Sequence, residues 1–595
     1  MSLRQTVRTK GAVLGVTRSC TGMYWNDRLD DDQAVSDLAQ RLGLPEVLAR
    51  LLAARGIEAD GVDGFLEPRV KHLMPDPLDM VDMTDAVRRI ADAVEADETI
   101  GIFGDYDVDG ATSAALLVRY LDCIGAKTVV HIPDRRKEGY GPSINALASL
   151  KERGAGPVVT VDCGITAHEP LRLAHQAGID IIVLDHHQVA GDLPQATALV
   201  NPNRSDCGSG LGHLAAVGVT FMTVVAINRE LRQCGRFDQC PEPDLMQWLD
   251  LVALGTLCDS VPLTGLNRAL VRQGLKVLGR GGNEGLMALG RCARLTEDPT
   301  AHHAVFVFGP RINAGGRVGD PALGVRLLTS RDEEEVAGIA VRLDDCNRER
   351  RRIEKGVLAA AMNQAEAQAS RHCCVVSGKD WHPGVLGIVA SRLVDRFSRP
   401  AVVISTADTP GTGSCRSVRG VNIGAAVGRA VEEGILVRGG GHPAAAGLAV
   451  EEDRISDLAS FLDHQLAREI AALPDVPELG IDGVLSVAAV NEDLIRSIER
   501  AGPFGTGNAR PRFAIKDARV SWAQRVGDHH VRVTARDAGG ARLDAIAFRV
   551  ADDPLGKALL TSDTGAFHLA GHLAINTWRG KQRPQLIIED AAVAT

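Results

Sequence analysis

At 595 residues the chain is too long for one hydrophobic core, so three or four domains are expected. An apolar fraction of 45% and a charged fraction of 24% sit at the globular average and argue against long disordered tracts. The formal charge of −10 excludes a uniformly basic nucleic-acid coat but leaves room for local basic grooves beside clustered acids.

The first 22 residues carry Arg4, Arg8, Lys10 and Arg18 and no acid, but the apolar run from Gly11 to Val16 is too short for a secretory signal core. This stretch reads as a disordered tail, or as sequence upstream of a start at Met23. Apolar positions at helical spacing (Leu38, Leu42, Val47, Leu48, Leu51, Leu52) predict one or two small helices over 34–56. From about residue 85 the pattern becomes strand, turn, helix. The runs Thr99–Phe103, Thr128–Ile132, Val158–Val161 and Ile181–Leu184 are short and β-branched, and each leads into a turn and a helical segment. Such alternation predicts a parallel sheet with helices on both faces, whose strand carboxyl ends converge on one ligand-binding edge. Leu214 to Ile227 contains two threonines and reads as a buried helix. No stretch reaches the roughly 18 apolar residues that a membrane span needs.

Residues 330 to 370 form the longest uninterrupted helical stretch, with Ser330 and Glu333 spaced as a capping box and a stripe of Val336, Ile339, Leu343, Ile353 and Val357. Its polar face carries Arg348, Arg350, Arg351, Arg352 and Lys355, as a solvated face or as a helix that tracks a phosphate backbone. Cys374–Ser377 and Ala401–Ile404 return the chain to α/β character. Beyond about 478 it turns mostly β: Val531, Val533 and Ala535 alternate with Arg532, Thr534 and Arg536, and Leu543–Phe548, Phe567–Ile575 and Leu586–Ile588 follow. Five or so such strands fit a small β-barrel of the OB type. The fold class is therefore α/β multidomain: an N-terminal tail with small helices (1–75), a parallel-sheet domain (76–329), a connecting helix (330–370), a second α/β domain (371–477) and an OB-like barrel (478–595). The twelve cysteines lack zinc-ligand spacing, which points to free thiols in a reducing, cytoplasmic protein.

The strongest chemical signal is Gly104-Asp105-Tyr106-Asp107-Val108-Asp109-Gly110, directly after a strand. Three carboxylates at alternate positions repel one another unless a cation sits among them. An EF-hand loop does not fit, because no acid occupies its twelfth position and a helix begins near Ala114. Two later strands also end in acids, at Asp162 and at Asp185-His186-His187, and the apolar segment from Leu254 ends at Asp259. Carboxylates with one or two imidazoles suit manganese or magnesium, and so many anionic ligands suit two ions. Asp528-His529-His530 repeats the tripeptide without acidic partners and reads as a hairpin turn.

Asp105 to Ser113, Asp162 before its glycine, Asp185-His186-His187 and Asp259 resemble the four motifs of the DHH phosphoesterase superfamily. Glu138-Gly139-Tyr140-Gly141, Gly309 to Ala314, Trp381 to Val385, Gly440-Gly441-His442-Pro443 and Gly502-Pro503-Phe504-Gly505 resemble its RecJ family, and the likeness spans roughly residues 60 to 595. The resemblance implies two divalent cations, Mn2+ or Mg2+, held by Asp107, Asp109, Asp162, His186 and Asp259, with Asp162 bridging. Asp105 and His187 are implied either as ligands or as hydrogen-bonding partners of the scissile phosphate, and Asp185 as the group that orients an imidazole.

The implied activity is 5′→3′ exonucleolytic hydrolysis of single-stranded DNA to 5′-mononucleotides, in repair and recombination. A monomer is implied, working with a RecQ-type helicase and a single-strand-binding protein. Ser414, Arg416 and Ser417, with Gly441 and His442, resemble phosphate-binding parts of the DHH-associated domain, where glycine lets backbone N–H groups approach an anion. Arg135, Arg311, Asn313 and Arg317 are further DNA-contact candidates. Trp522 and Trp578 are candidate stacking platforms on the barrel, near Arg532, Arg536, Arg579, Lys581 and Arg583. The competing readings are a DHH enzyme acting on small substrates such as dinucleotides or pyrophosphate, and a non-catalytic single-strand-binding scaffold.

Overall fold

The computed structural model describes residues 11–29, 32–135, 137–189, 191–238, 240–561, 565–578 and 581–594. It divides into two compact units. One comprises Pro75–Asp259 and Gln273–Leu473; the other joins the residues through Met74 with Ser260–Arg272 and Pro474–Thr595.

The first unit begins with a five-stranded, all-parallel sheet. Its strands are β1 (Thr99–Gly104), β2 (Lys127–His131), β3 (Ala155–Val161), β4 (Asp180–Leu184) and β5 (Ala198–Val200), in the order β2-β1-β3-β4-β5. The strands follow the apolar runs read from sequence, and β1, β3 and β4 are buried along almost their whole length, as expected of a sheet covered on both faces. The order reverses between β1 and β3, and the carboxyl ends at such a switch point open a crevice. Helix α1 (Val108–Cys123) leaves β1 and packs against α2 (Ala216–Gln233) and α3 (Leu249–Cys258). The threonine-bearing segment expected as a buried helix lies within α2 and its approach, and all but one of its residues are buried.

A π-helical turn (Ala304–Phe308) leads into α4 (Gly309–Val318), and the long helix α5 (Glu333–Glu366) follows. The sequence places a capping box at Ser330 and Glu333; the structure corrects this. Asp332 is the N-cap, its side chain accepting from the Glu335 N–H at 2.8 Å, while Ser330 Oγ donates to the Glu335 carboxylate at 2.7 Å. A carboxylate at the helix start also complements the helix dipole. On the polar face the exposed Arg352 pairs with Glu349 at 2.7 Å and the exposed Arg348 with Asp345, as on a solvated face, whereas Arg350 is buried and pairs with Glu354 at 2.8 Å.

The α/β region that follows builds a mixed sheet from β6 (Cys374–Gly378), β7 (Ala401–Ser405), β8 (Gly411–Arg416), β9 (Arg438–His442) and β10 (Ala445–Val450), ordered β9-β10-β8-β7-β6. Helix α6 (Leu386–Phe397) packs on β7 and β8. The glycine-rich segment that carries Gly441 and His442 is β9, an edge strand whose residues are all exposed.

The second unit holds a closed barrel of β11 (Phe513–Val526), β12 (His530–Arg536), β13 (Arg542–Ala547), β14 (Ala566–Trp578) and β15 (Lys581–Val593). β11 pairs with both β12 and β14, which removes the free edges. Gly527 to His529 form the hairpin turn between β11 and β12, as read for the second Asp-His-His. Residues 11–22, expected within a disordered tail, are built into this unit: Val13 and Val16 are buried with Trp25, and the Cys20 N–H donates to Ala591 O at 2.8 Å. Arg4, Arg8 and Lys10 lie outside the described residues. All twelve cysteines are free thiols. Among the described residues no helix is long and apolar enough to cross a membrane.

Candidate active site

The acids arrive at the sheet edge because the strand ladder carries them there. The Asp105 N–H donates to Val161 O, the Asp162 N–H to Leu184 O at 3.0 Å and the Asp185 N–H to Val200 O at 3.0 Å, so each acid is the first residue past its strand. Asp107 caps α1, accepting the Gly110 N–H at 3.0 Å. Gly110 has to be glycine: a Cβ there would come within 2.5 Å of Asp105 O. Asp109 enters from α1 and accepts the Ala216 and Val217 N–H groups at 2.7 and 3.0 Å, the positive end of α2. Asp259 belongs to no strand: the apolar segment that leads into it is the end of α3. It caps the C-terminus of α3, and α3 crosses α1 closely enough that a Cβ on Gly255 would lie 2.9 Å from Asp109 Oδ1.

These elements gather the predicted ligands. His186 Nε2 lies 3.3 Å from Asp162, 3.6 Å from Asp259 and 3.8 Å from Asp109. Three overlapping sets place one donor atom each within 4.8 Å of one another: Asp109, His186 and Asp259; Asp105, Asp107 and Asp162; and Asp162, His186 and His187. Asp162 belongs to two of them. Asp105, Asp109 and Asp162 are buried, and burial together with the neighbouring carboxylates raises all three well above the ordinary acid range. The same causes, burial and then Asp107, lift Asp259 to about 7. Asp105 Oδ1 and His186 Nε2 are buried without a hydrogen-bonding partner. Unpartnered donor atoms amid mutually repelling acids fit divalent cations, which would satisfy both.

Asp185 is differently employed. Its oxygens accept the N–H groups of Ile165, His186 and His187, and Oδ1 lies 2.7 Å from His187 Nδ1. Burial would lower His187, but the Asp185 bond and charge, with Asp259 and Asp105, raise it to about 9. His186 goes the other way: burial and the adjacent His187 lower it to about 4, which leaves a neutral imidazole able to ligate. Tyr140 Oη stands 3.3 Å from His187 Nε2 and 3.3 Å from Asp162 O, a neighbour of the site that the motif comparison named without a role.

In the same unit a cavity of about 320 Å³ is walled by Arg135, Arg317, Arg392 and Arg416. Ser391 and Ser414 add hydroxyls and Asp395 one acid. Gly387 keeps the wall open, since a Cβ there would sit 3.0 Å from Ser414 Oγ and 3.1 Å from Arg416 Nη2. Arg317 donates to Gly384 O at 2.9 Å, and burial together with Arg135 brings its guanidinium down to about 10. Arg135 also lies 5.4 Å over the Tyr106 ring. Guanidiniums and hydroxyls around one hollow have the chemistry that suits an anion such as a phosphate group.

Comparison with known proteins agrees along the chain. Residues 99–256 match the DHH family N-terminal domain, 369–468 the DHHA1 domain and 481–590 the RecJ OB domain. The single-stranded-DNA-specific exonuclease RecJ of Bacillus subtilis is 34% identical over 96% of this chain and 71% of its own length. That of Dickeya dadantii is 36% identical over 92% of this chain and 96% of its own. The chain belongs to the RecJ family. The crystal structure of RecJ from Thermus thermophilus in complex with Mn2+ superimposes with a TM-score of 0.79 at 27% identity, covering 95% of this chain and 78% of that one; its Mg2+ complex gives 0.74 at 26% identity, covering 95% and 77%.

The RecJ motifs outside the metal centre acquire structural reasons. In α4, Gly316 lets the helix touch the acidic loop, its Cβ position lying 2.7 Å from Tyr106 O. Arg311 of the same helix turns away from the cavity: it pairs with Asp344 at 2.9 Å and donates to Val307 O, bracing α4 on α5. Asn313 is half-buried on α4 and does not line the cavity. Ser417 Oγ donates to Val421 O at 2.8 Å, and neither it nor Gly441 nor His442 forms part of the wall. Sequence reading missed Ser391, Arg392 and Asp395. Their signal is the one-turn spacing of Gly387, Ser391 and Asp395 along α6, just after the Trp381 motif.

On the barrel Trp522 is 45% exposed and lies on the outer face opposite Thr534, with Arg532 and Arg536 on the same strand pair also exposed. Phe548, 50% exposed with its ring 5.3 Å from that of His530, is an aromatic the sequence reading left unassigned. The side chains of Trp578 and Arg579 lie outside those described.

Proposed function

We propose that this chain is a divalent-metal-dependent exonuclease specific for single-stranded DNA. It hydrolyses phosphodiester bonds 5′→3′ and releases 5′-mononucleotides, in DNA repair and recombination. The observation that carries this reading is one loop joining two subsites: Arg135 walls the arginine cavity, and Tyr140, five residues on, touches His187 at the acidic cluster. A terminal phosphate gripped in the cavity leaves the next phosphodiester at the acids, which gives both polarity and a one-nucleotide step.

In this reading Asp109, His186 and Asp259 would hold one ion and Asp105 and Asp107 a second, with Asp162 placed to serve either. Bound Mn2+ or Mg2+ would supply the positive charge that stabilises the reacting phosphate and makes water acidic enough to attack at neutral pH. His187, fixed by Asp185, donates a hydrogen bond to a non-bridging phosphate oxygen. Arg135, Arg317, Ser414 and Arg416 take the 5′-phosphate. The exposed barrel face at Trp522 and Arg532 receives the following strand by stacking and charge. The enzyme acts as a cytoplasmic monomer on strands opened by a RecQ-type helicase and covered by a single-strand-binding protein.

The test is release of labelled mononucleotide with Mn2+ from 5′-labelled and 3′-labelled single strands and from a blunt duplex. Early release of the 5′ label alone, from the single strand alone, is the expected result. Early release of the 3′ label overturns the polarity, and equal digestion of duplex overturns the strand specificity.

A further inference from the structure

Resting on the exonuclease reading, we propose that Glu138 is a positioning residue that holds the two subsites in register. The loop after β2 closes on itself through this side chain. Glu138 Oε1 accepts the Asp134 N–H at 2.8 Å, and Oε2 lies 2.9 Å from His131 Nε2 at the end of β2. The Glu138 N–H returns to Asp134 O at 2.8 Å. His131 is itself fixed, its ring stacked 5.5 Å from Phe103 of β1 with the planes 21° apart. One partly buried carboxylate therefore pins the turn at Asp134 and Glu138 to the central sheet.

What the turn carries gives the pin its consequence. Arg135 lies inside it and reaches the arginine cavity; Tyr140 lies two residues beyond and reaches His187 and the Asp162 carbonyl. The separation between the two subsites along this path depends on how closely Asp134 and Glu138 are held together. A carboxylate bonded at both oxygens fixes that fold more firmly than backbone contacts alone. Glu138 touches neither substrate nor reacting atoms in this account; it acts through Arg135 and Tyr140.

The experiment uses the full chain with Mn2+ and compares Glu138→Ala, Glu138→Asp and Glu138→Gln on single strands bearing a 5′-phosphate or a 5′-hydroxyl. Alanine and the shorter aspartate are expected to raise KM for the 5′-phosphorylated strand about tenfold, narrowing the difference between the two ends. Products longer than one nucleotide should appear. The kcat at saturation and the Mn2+-induced rise in melting temperature should stay close to wild type, because the acidic cluster is untouched. Glutamine should restore KM, since its amide oxygen still accepts the Asp134 N–H and its NH2 still reaches His131 Nε2. A fall in kcat with KM unchanged, or alanine and glutamine variants that behave alike, overturns the proposal. Wild-type protein that frees no nucleotide from any single strand fails the exonuclease reading itself, and that is scored before any variant is made.

Discussion

Asp162 sits where the repulsion is greatest: it is buried, belongs to two of the three donor sets and faces Asp107, Asp109, Asp105 and Asp259. Its backbone is left-handed, with φ of 63°, a conformation that Asn adopts readily. Asp162→Asn is therefore expected to fold. In chelator it should melt above wild type, because one buried like charge is gone. It should also lose the Mn2+-induced rise in melting temperature and at least about a thousandfold in cleavage, as several kcal/mol of charge stabilisation disappear. A variant that retained the Mn2+ shift would show that Asp162 does not join the two ions. At this scale most of the site was legible from the chain alone, because a strand followed at once by an acid declares both partners locally. The same rule separates the two Asp-His-His tripeptides, since only the first follows a buried strand.

Elements are tied together by ionic links that no local pattern reveals. Glu589 on β15 lies 2.9 Å from His572 Nε2 on β14 and also bonds Arg512, just before β11. Burial would raise its carboxyl, but the His572 bond and charge, with Arg512, hold it at about 2. A folded-state value below the unfolded one, about 4.3, gives stability that is present above pH 4.3 and lost as pH falls towards 2. Glu589→Gln should therefore lower the melting temperature of the barrel at pH 7, with the gap to wild type narrowing as pH falls from about 4.3 towards 2. Melts across that range that keep a constant gap would exclude ionisation of Glu589 as the cause. The strand β11 itself escaped sequence reading. Its register shifts at Ile515–Ala518 and Val520–Trp522 interrupt the period-two alternation that reveals β12. Asp259 is legible in the sequence but the kind of element before it is not, because an apolar run ending in an acid reads alike whether it is a strand or a buried helix.

At the scale of the whole molecule, the barrel unit is assembled from three stretches of chain. Strand Tyr24–Asp27 pairs in parallel with Glu478–Ile481, and Trp25 Nε1 donates to the buried Asp590 at 2.8 Å. Arg268, from the short middle stretch, donates to Ala501 O and Gly502 O, which gives the Gly502-Pro503 motif a structural task. Cutting away 478–595 would therefore strip partners from the N-terminal residues as well, so point substitutions test the barrel more cleanly. Trp25→Phe leaves Asp590 short of a donor and should cost about 1–3 kcal/mol, lowering the melting transition of this unit. Cleavage of short strands at room temperature should be unaffected. An unchanged melt would detach the N-terminal strand from the stability of the barrel.

The sequence by itself determined what is written locally: the parallel strands, the acids at their ends, the alternation of the barrel and the order of the RecJ motifs. Only the tertiary structure decided which of several equivalent side chains face a given site. Arg311 and Arg317 share α4, yet one is neutralised by Asp344 and the other walls the cavity with Arg392 of a helix some seventy residues away. Helical spacing says which residues share a face; what that face meets depends on packing against elements remote in the chain, and that packing alone distinguishes a brace from a cavity wall.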